Sequence, residues 1–237
     1  MRNIKKVFVL ILCICCFTVF TIITIAAQKN EKVEQGDFNE NPLPEIANLD
    51  QYAIKIYGVK SSGVVVCFEK ESKFFEWNWQ NSIGELPVIV FEDFNHDDKK
   101  ELCYIANLYQ GNGTSSQELH LLEIEKTEED TLWTDYTFSE NTTKEQLLKK
   151  VHFSQYNHTI LIRINDDVRD INIPFQNQID NITLLYPAFE INNNQIKVTF
   201  EIAVFYDDKV IPDTLEYQVA ANIIYQNGTY QLDNIHF

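Results

Sequence analysis

Between two apolar runs, the stretch FEDFNHDDKKEL (residues 91–102) sets oxygen-bearing side chains at alternate places. Asp93, Asn95 and Asp97 come first, Lys99 follows at the seventh place counted from Asp93, and Glu101 at the ninth. Hard divalent cations such as Ca2+ take six to eight oxygens at roughly 2.3–2.6 Å. A tight loop supplies them from its first, third and fifth places, from a backbone carbonyl at the seventh and from a later carboxylate. The order here fits. Without a cation the arrangement is costly, because each pair of carboxylates about 4 Å apart repels by about 1 kcal/mol in water and about 4 kcal/mol at an effective dielectric of 20. The plainer alternative is an acidic hairpin tip whose charge Lys99 and Lys100 partly neutralise.

The segment DFNHDDKKEL also resembles the calcium loop of FG-GAP/VCBS-type repeats, whose pattern is Asp-x-[Asp/Asn]-x-Asp-Gly-x-x-[Asp/Glu]-apolar between two strands. The resemblance covers residues 86–124, including the downstream GNGTSS and the strand-like run after it. It implies that Asp93, Asn95, Asp97 and Glu101 are side-chain ligands of one structural Ca2+ and that Lys99 contributes its carbonyl oxygen. It also implies a setting among bacterial anchored extracytoplasmic proteins. The sixth place of the pattern, where a glycine takes positive φ, is Asp98, which points to weak affinity, in the ~10⁻⁴ to 10⁻³ M range of extracellular modules. Tyr104 occupies the place that a 12-residue EF-hand gives to glutamate, so the helix-loop-helix form is excluded.

Other chemistry is sparse. His96, His120, His152, His158 and His236 form no His-x-His or His-x₃-His pair, which argues against zinc. GNGT at 111–114 lacks the lysine of a phosphate cradle and reads as a turn, and no nucleophile elbow is present. No pair of acids is singled out for glycoside hydrolysis, and no catalytic residue is assigned. Asn112, Asn141, Asn157, Asn181 and Asn227 begin Asn-x-Ser/Thr triplets, which arise readily by chance in an asparagine-rich chain.

The elements that must position the loop are strands. YAIKIYGV and GVVVCFEK are β-branched and aromatic runs about a KSSG turn. In KFFEWNWQ, Phe75, Trp77 and Trp79 alternate with polar residues as in a half-buried strand. The tryptophans read as core, with a sugar-stacking platform as the alternative. Strands at 88–91, 102–108 and 118–124 follow, residues 126–140 look irregular, and NTTKEQLLKKV is the helix candidate, with Thr142 and Glu145 spaced as a capping box and Leu147, Leu148 and Val151 as its apolar face. Beyond it TILIRIN, DVRDINIPF, QIKVTFEIAVFY, TLEYQVAANIIY and TYQLDNIHF alternate with Asn- and Asp-rich turns. The expected fold is mainly β: antiparallel meander sheets, arranged as a sandwich or partial propeller, with one or two short helices and a preceding hydrophobic helix. No internal repeat of fixed period supports a complete propeller.

The 237 residues carry a net charge of −16, and after the first three basic residues, Arg2, Lys5 and Lys6, the remainder sets 35 acidic against 16 basic side chains, a net −19. Nucleic acid is thereby disfavoured as a partner, as are anionic surfaces. Residues 7–27 hold no charge and are long enough to cross a hydrocarbon core of about 30 Å. Residues 1–27 are therefore expected to be a membrane anchor, single-pass with the C-terminal domain outside, or a signal peptide cleaved near Ala27, giving a secreted protein. Residues 28–49 read as a polar stalk and 50–237 as the β-rich extracytoplasmic domain, with a subdivision near 126–150. Cys67 and Cys103 either pair in that compartment or stay as free thiols in strands. The expected role is a calcium-stabilised binding or sensing module for an extracellular ligand or protein; the alternatives are a surface hydrolase of an extracellular polymer and a structural adhesion or assembly subunit.

Overall fold

The computed structural model describes residues 43–59, 63–79, 84–111, 114–173, 178–207 and 212–237. The expected hydrophobic helix and residues 28–42 of the expected stalk lie outside these. Among the described residues no helix is long and apolar enough to cross a membrane.

Four antiparallel meander sheets follow one another along the chain. The first holds β1 (Glu45–Leu49), β2 (Ile54–Val59), β3 (Gly63–Phe68) and β4 (Glu71–Phe75); the second β5 (Val88–Glu92), β6 (Glu101–Gly111), β7 (Thr114–Lys126) and β8 (Thr131–Phe138). A helix, α1 (Glu140–Leu147), leads to a three-stranded sheet of β9 (Val151–Tyr156), β10 (Thr159–Ile164) and β11 (Asp167–Asn172). The last sheet holds β12 (Ile179–Asn192), β13 (Gln195–Tyr206), β14 (Asp213–Gln226) and β15 (Thr229–His236). The fold is thus mainly β, as the alternation of apolar residues and Asn/Asp turns requires. Strand β1 begins regular structure inside the segment expected to be stalk, and β8 occupies part of the stretch that looks irregular in sequence. Residues 44–237 form one compact unit.

The second sheet is apolar on both faces, which explains the unbroken run Leu102, Cys103, Tyr104, Ile105, Ala106, all buried. Register sorts the faces: Leu102 sits opposite Leu122 and Tyr104 opposite His120, while Cys103 sits opposite Leu121 and Ile105 opposite Leu119. The first set packs with Ile54, Ile56, Val64 and Val66 of the first sheet. The second set packs with Val198, Phe200 and Ile202 of the last sheet and Ile160 and Ile162 of the three-stranded one. At roughly 25 cal/mol per Å2 of apolar surface removed from water, these two clusters are the main source of stability.

Turns follow asparagine chemistry. Asn193 and Asn194 have φ of 50° and 58°, and Asn227 and Gly228 have 55° and 79°, the positive angles that two-residue hairpins require. In β12 the ladder register shifts between Leu185 and Ala188, with Tyr186 at φ 57° ahead of Pro187. Proline has no N–H for the ladder, so the strand bulges there. Helix α1 starts one cap earlier than expected: Ser139 Oγ accepts from Thr142 N–H, and Thr142 Oγ1 accepts from Ser139 N–H. Leu147 and Val151 are buried, whereas Leu148 is exposed.

Candidate metal centre

The loop of residues 93–100 joins β5 to β6, whose last ladder pair sets Glu92 opposite Glu101. Because Val90 and Cys103 form the pair on the face toward the last sheet, Glu101 shares that face, two residues along. It is buried, with 1% of its surface exposed. The loop is folded by its own carboxylates. Asp93 accepts from the N–H groups of Asp97 at 3.2 Å and Asp98 at 3.1 Å, Asn95 Oδ1 accepts from Asp97 N–H at 3.0 Å, and Asp97 Oδ1 accepts from Lys99 N–H at 2.9 Å. Glu101 Oε2 accepts from Phe94 N–H at 2.8 Å. Phe94 itself is buried in the core on the same side.

Asp93, Asp97 and Glu101 each bring one carboxylate oxygen within 4.8 Å of the others. Oxygens held 2.3–2.6 Å from one centre lie at most about 5 Å apart, so the spacing suits a Ca2+-sized ion. The Asn95 Oδ1 is taken up by the Asp97 N–H within the same loop. Lys99 contributes its backbone to the turn, while its ammonium points outward to Glu125 Oε1 at 2.8 Å. Lys100 pairs with Glu92 at 3.3 Å and lies over the Tyr52 ring. Both lysines pair directly with acids at the rim, Glu125 and Glu92, and Lys99 also feels the charge of Asp97.

The electrostatics of the centre are adverse without a counter-ion. Burial pushes the Glu101 carboxyl up, and Asp97 and Asp93 push it the same way against the Phe94 and Tyr230 contacts that favour its charge. A fourth acid, Glu123 on β7, was not singled out by the sequence. Burial pushes it up too, with Asp97 and Glu125 adding to the effect, while Tyr136 and the Asn95 amide stabilise its charged form. The Tyr230 hydroxyl on β15 is buried with no hydrogen bond of ordinary geometry, although it lies close enough to Glu101 for that carboxylate to push its ionisation upward. Glu123 was legible only in part: Glu123 and Glu125 alternate with Leu122 and Ile124, but nothing in the sequence says which end of β7 meets the loop.

The backbone is locally strained. His96 has φ 61° and Asp98 φ 65°, so Asp98 does occupy the left-handed conformation for which glycine is suited. Cys67 and Cys103 are both free thiols, and Cys103 is fully buried. Trp77 is core, stacked on Phe75, and Trp79 is partly buried with its indole N–H on the Val59 carbonyl.

What fold and site define together is a class: a β-rich protein with an acidic strand-loop-strand centre. No protein-family model, curated protein or solved structure matches the chain.

Proposed function

We propose that the chain is an extracytoplasmic module, anchored by residues 7–27 or secreted after cleavage near Ala27, that binds one structural Ca2+ through Asp93, Asn95, Asp97, the Lys99 carbonyl and Glu101. The observation that carries this reading is the convergence of the Asp93, Asp97 and Glu101 oxygens within 4.8 Å of one another. A buried glutamate in such company gains from a divalent ion twice, by charge neutralisation and by replacement of lost hydration. The ion would pin the start of β6 to the end of β5, and through Glu101 it would reach Tyr230 on the last sheet. In this reading the four sheets stack as the blades of a partial propeller, and the metal is a structural rivet for a surface that binds or senses an extracellular ligand.

The test is thermal unfolding of the full-length protein in mild detergent, with millimolar calcium and with chelator. A native-state ligand stabilises by RT ln(1 + [L]/Kd), about 1.4 kcal/mol at ten times Kd. Equal midpoints in both conditions would end the proposal.

A further inference from the structure

Away from the acidic loop, on the opposite face of the second sheet, the structure holds an ionisable group almost entirely out of water. His120 on β7 is 3% exposed, and each of its ring nitrogens faces a carboxylate. Nε2 lies 2.9 Å from Glu118 Oε1 and Nδ1 lies 3.3 Å from Asp135 Oδ1. Neutral imidazole carries one N–H, so it can donate to only one of these acids and turns a lone pair toward the other. Imidazolium donates to both.

The same three residues hold down a stretch of chain. After β4, residues 76–79 run across this face with little regular structure of their own. The Trp77 indole N–H donates to Asp135 Oδ2 at 2.8 Å, and its ring stacks on His120 at 4.6 Å between centroids with 21° between planes. Asn78 donates its side-chain amide to Glu118 Oε1 at 3.4 Å, and its carbonyl accepts from the Tyr104 hydroxyl at 2.7 Å. Each acid that His120 bridges is therefore also an acceptor for the strap. A second arrangement is already in reach, because Thr137 Oγ1 lies 3.2 Å from His120 Nδ1 and 3.5 Å from Asp135 Oδ2. When Nδ1 loses its proton, the Thr137 hydroxyl can donate to it. Asp135 then keeps the Trp77 N–H but faces a ring nitrogen with no proton to offer.

We propose that His120 is a proton-operated latch: doubly protonated, it clamps residues 76–79 to the second sheet through Glu118 and Asp135, and on losing its proton it loosens them. The ionisable groups around it are Glu118, Asp135 and Tyr104. Burial pulls the His120 pKa down, but hydrogen bonds and charge from Asp135 and Glu118 outweigh it, so it sits above the ordinary histidine range; Glu118 is held below the usual carboxylate range, chiefly by its bond to His120. Burial keeps the Tyr104 phenol neutral throughout. A histidine raised in the folded state contributes stability that is fully present below its unfolded value, about 6.5, and is lost as pH rises through the folded value. The latch is therefore closed in acid and opens toward alkaline pH, independently of any metal.

The experiment is a pH titration of the full-length protein in mild detergent between about pH 5 and pH 9. The His120 ring carbon followed by NMR should titrate in one step with a midpoint above about 6.5, and Asp135→Asn should lower that midpoint by about one unit. In a Trp79→Phe, Trp133→Phe background that leaves Trp77 as the reporter, acrylamide quenching should rise at least twofold above the midpoint, and His120→Gln should remove the pH dependence. A midpoint at or below about 6.5 in the unmodified protein, or quenching equal on both sides of it, overturns the latch. The NMR titration needs no substitution, so a midpoint at or below about 6.5 overturns the latch even where a variant fails to fold.

Discussion

The Phe94 N–H closes the neck of the acidic loop by donating to Glu101 Oε2 at 2.8 Å, so the residue that begins β6 also holds the second residue of the loop that follows β5. That bond needs an acceptor oxygen, not a charge. Glu101→Gln keeps an acceptor while removing one of three converging carboxylates, and its effect should change sign with conditions. In chelator the variant should match or exceed the parent by up to about 1 kcal/mol, because a buried charge with like neighbours is gone. In millimolar calcium it should be the less stable of the two. Denaturant unfolding of both proteins in both conditions measures the crossover, and parallel curves would show that the carboxylate has no ion to serve.

Asp98 holds a φ of 65° with a side chain that does not favour that region. Asp98→Gly should relieve this and also remove one acid from the rim. The expected gain in calcium affinity is about fivefold, equivalent to about 1 kcal/mol, read by calorimetric titration. An unchanged or weaker affinity would mean that the loop is not already shaped for the ion.

Much of the fold is readable from residues alone, and the places where it is not share a physical reason. Strands β13 and β14 are long, carry several β-branched residues and lie between Asn- or Asp-rich segments of sequence, so pattern and fold agree. Strand β12 is interrupted by Pro187, and its pairing survives only through a bulge that depends on β13. Strand β1 is only five residues long, Glu45–Leu49, too short for its pattern to stand out from the polar segment before it, and it exists because β2 offers it a partner. The 1-3-5-9 spacing of Asp93, Asn95, Asp97 and Glu101 is local, hence visible. Glu123, Tyr230 and the Glu118, His120, Asp135 bridge are assembled by register across β7, β8 and β15, which no spacing along the chain encodes. The nearest hint is Glu118 and His120 set two apart on one face of a strand whose other face is leucine.

Gly63 opens β3 with φ 143°, and a Cβ placed there would meet the Phe75 carbonyl oxygen at 2.1 Å. That oxygen belongs to the backbone of β4, so relief requires moving a ladder rather than a side chain. Gly63→Ala should cost more than about 2 kcal/mol, seen as a midpoint lower by roughly 4–8 °C at about 2–4 °C per kcal/mol. Gly228, at φ 79° but with nothing within 4 Å, is the control for conformation alone. Its alanine variant should lose about 1 kcal/mol, the cost of a Cβ in the left-handed conformation. Equal losses at the two sites would show that the close approach at Gly63 is readily relaxed.

The start of α1 separates two readings of one sequence. Thr142 and Glu145 have the spacing of a capping box, yet the structure places the cap at Ser139, with Thr142 as its reciprocal partner and Thr143 Oγ1 bonded to the Ser139 carbonyl at 2.6 Å. The difference arises because Phe138 is buried at the end of β8, so the chain must turn into the helix immediately after it. Ser139→Ala leaves the Thr142 N–H without its side-chain acceptor and should cost about 1 kcal/mol. Glu145→Ala, outside the cap, should stay within about 0.5 kcal/mol of the parent. The two variants, compared by urea unfolding, rank in the reverse order if Thr142 is the true cap.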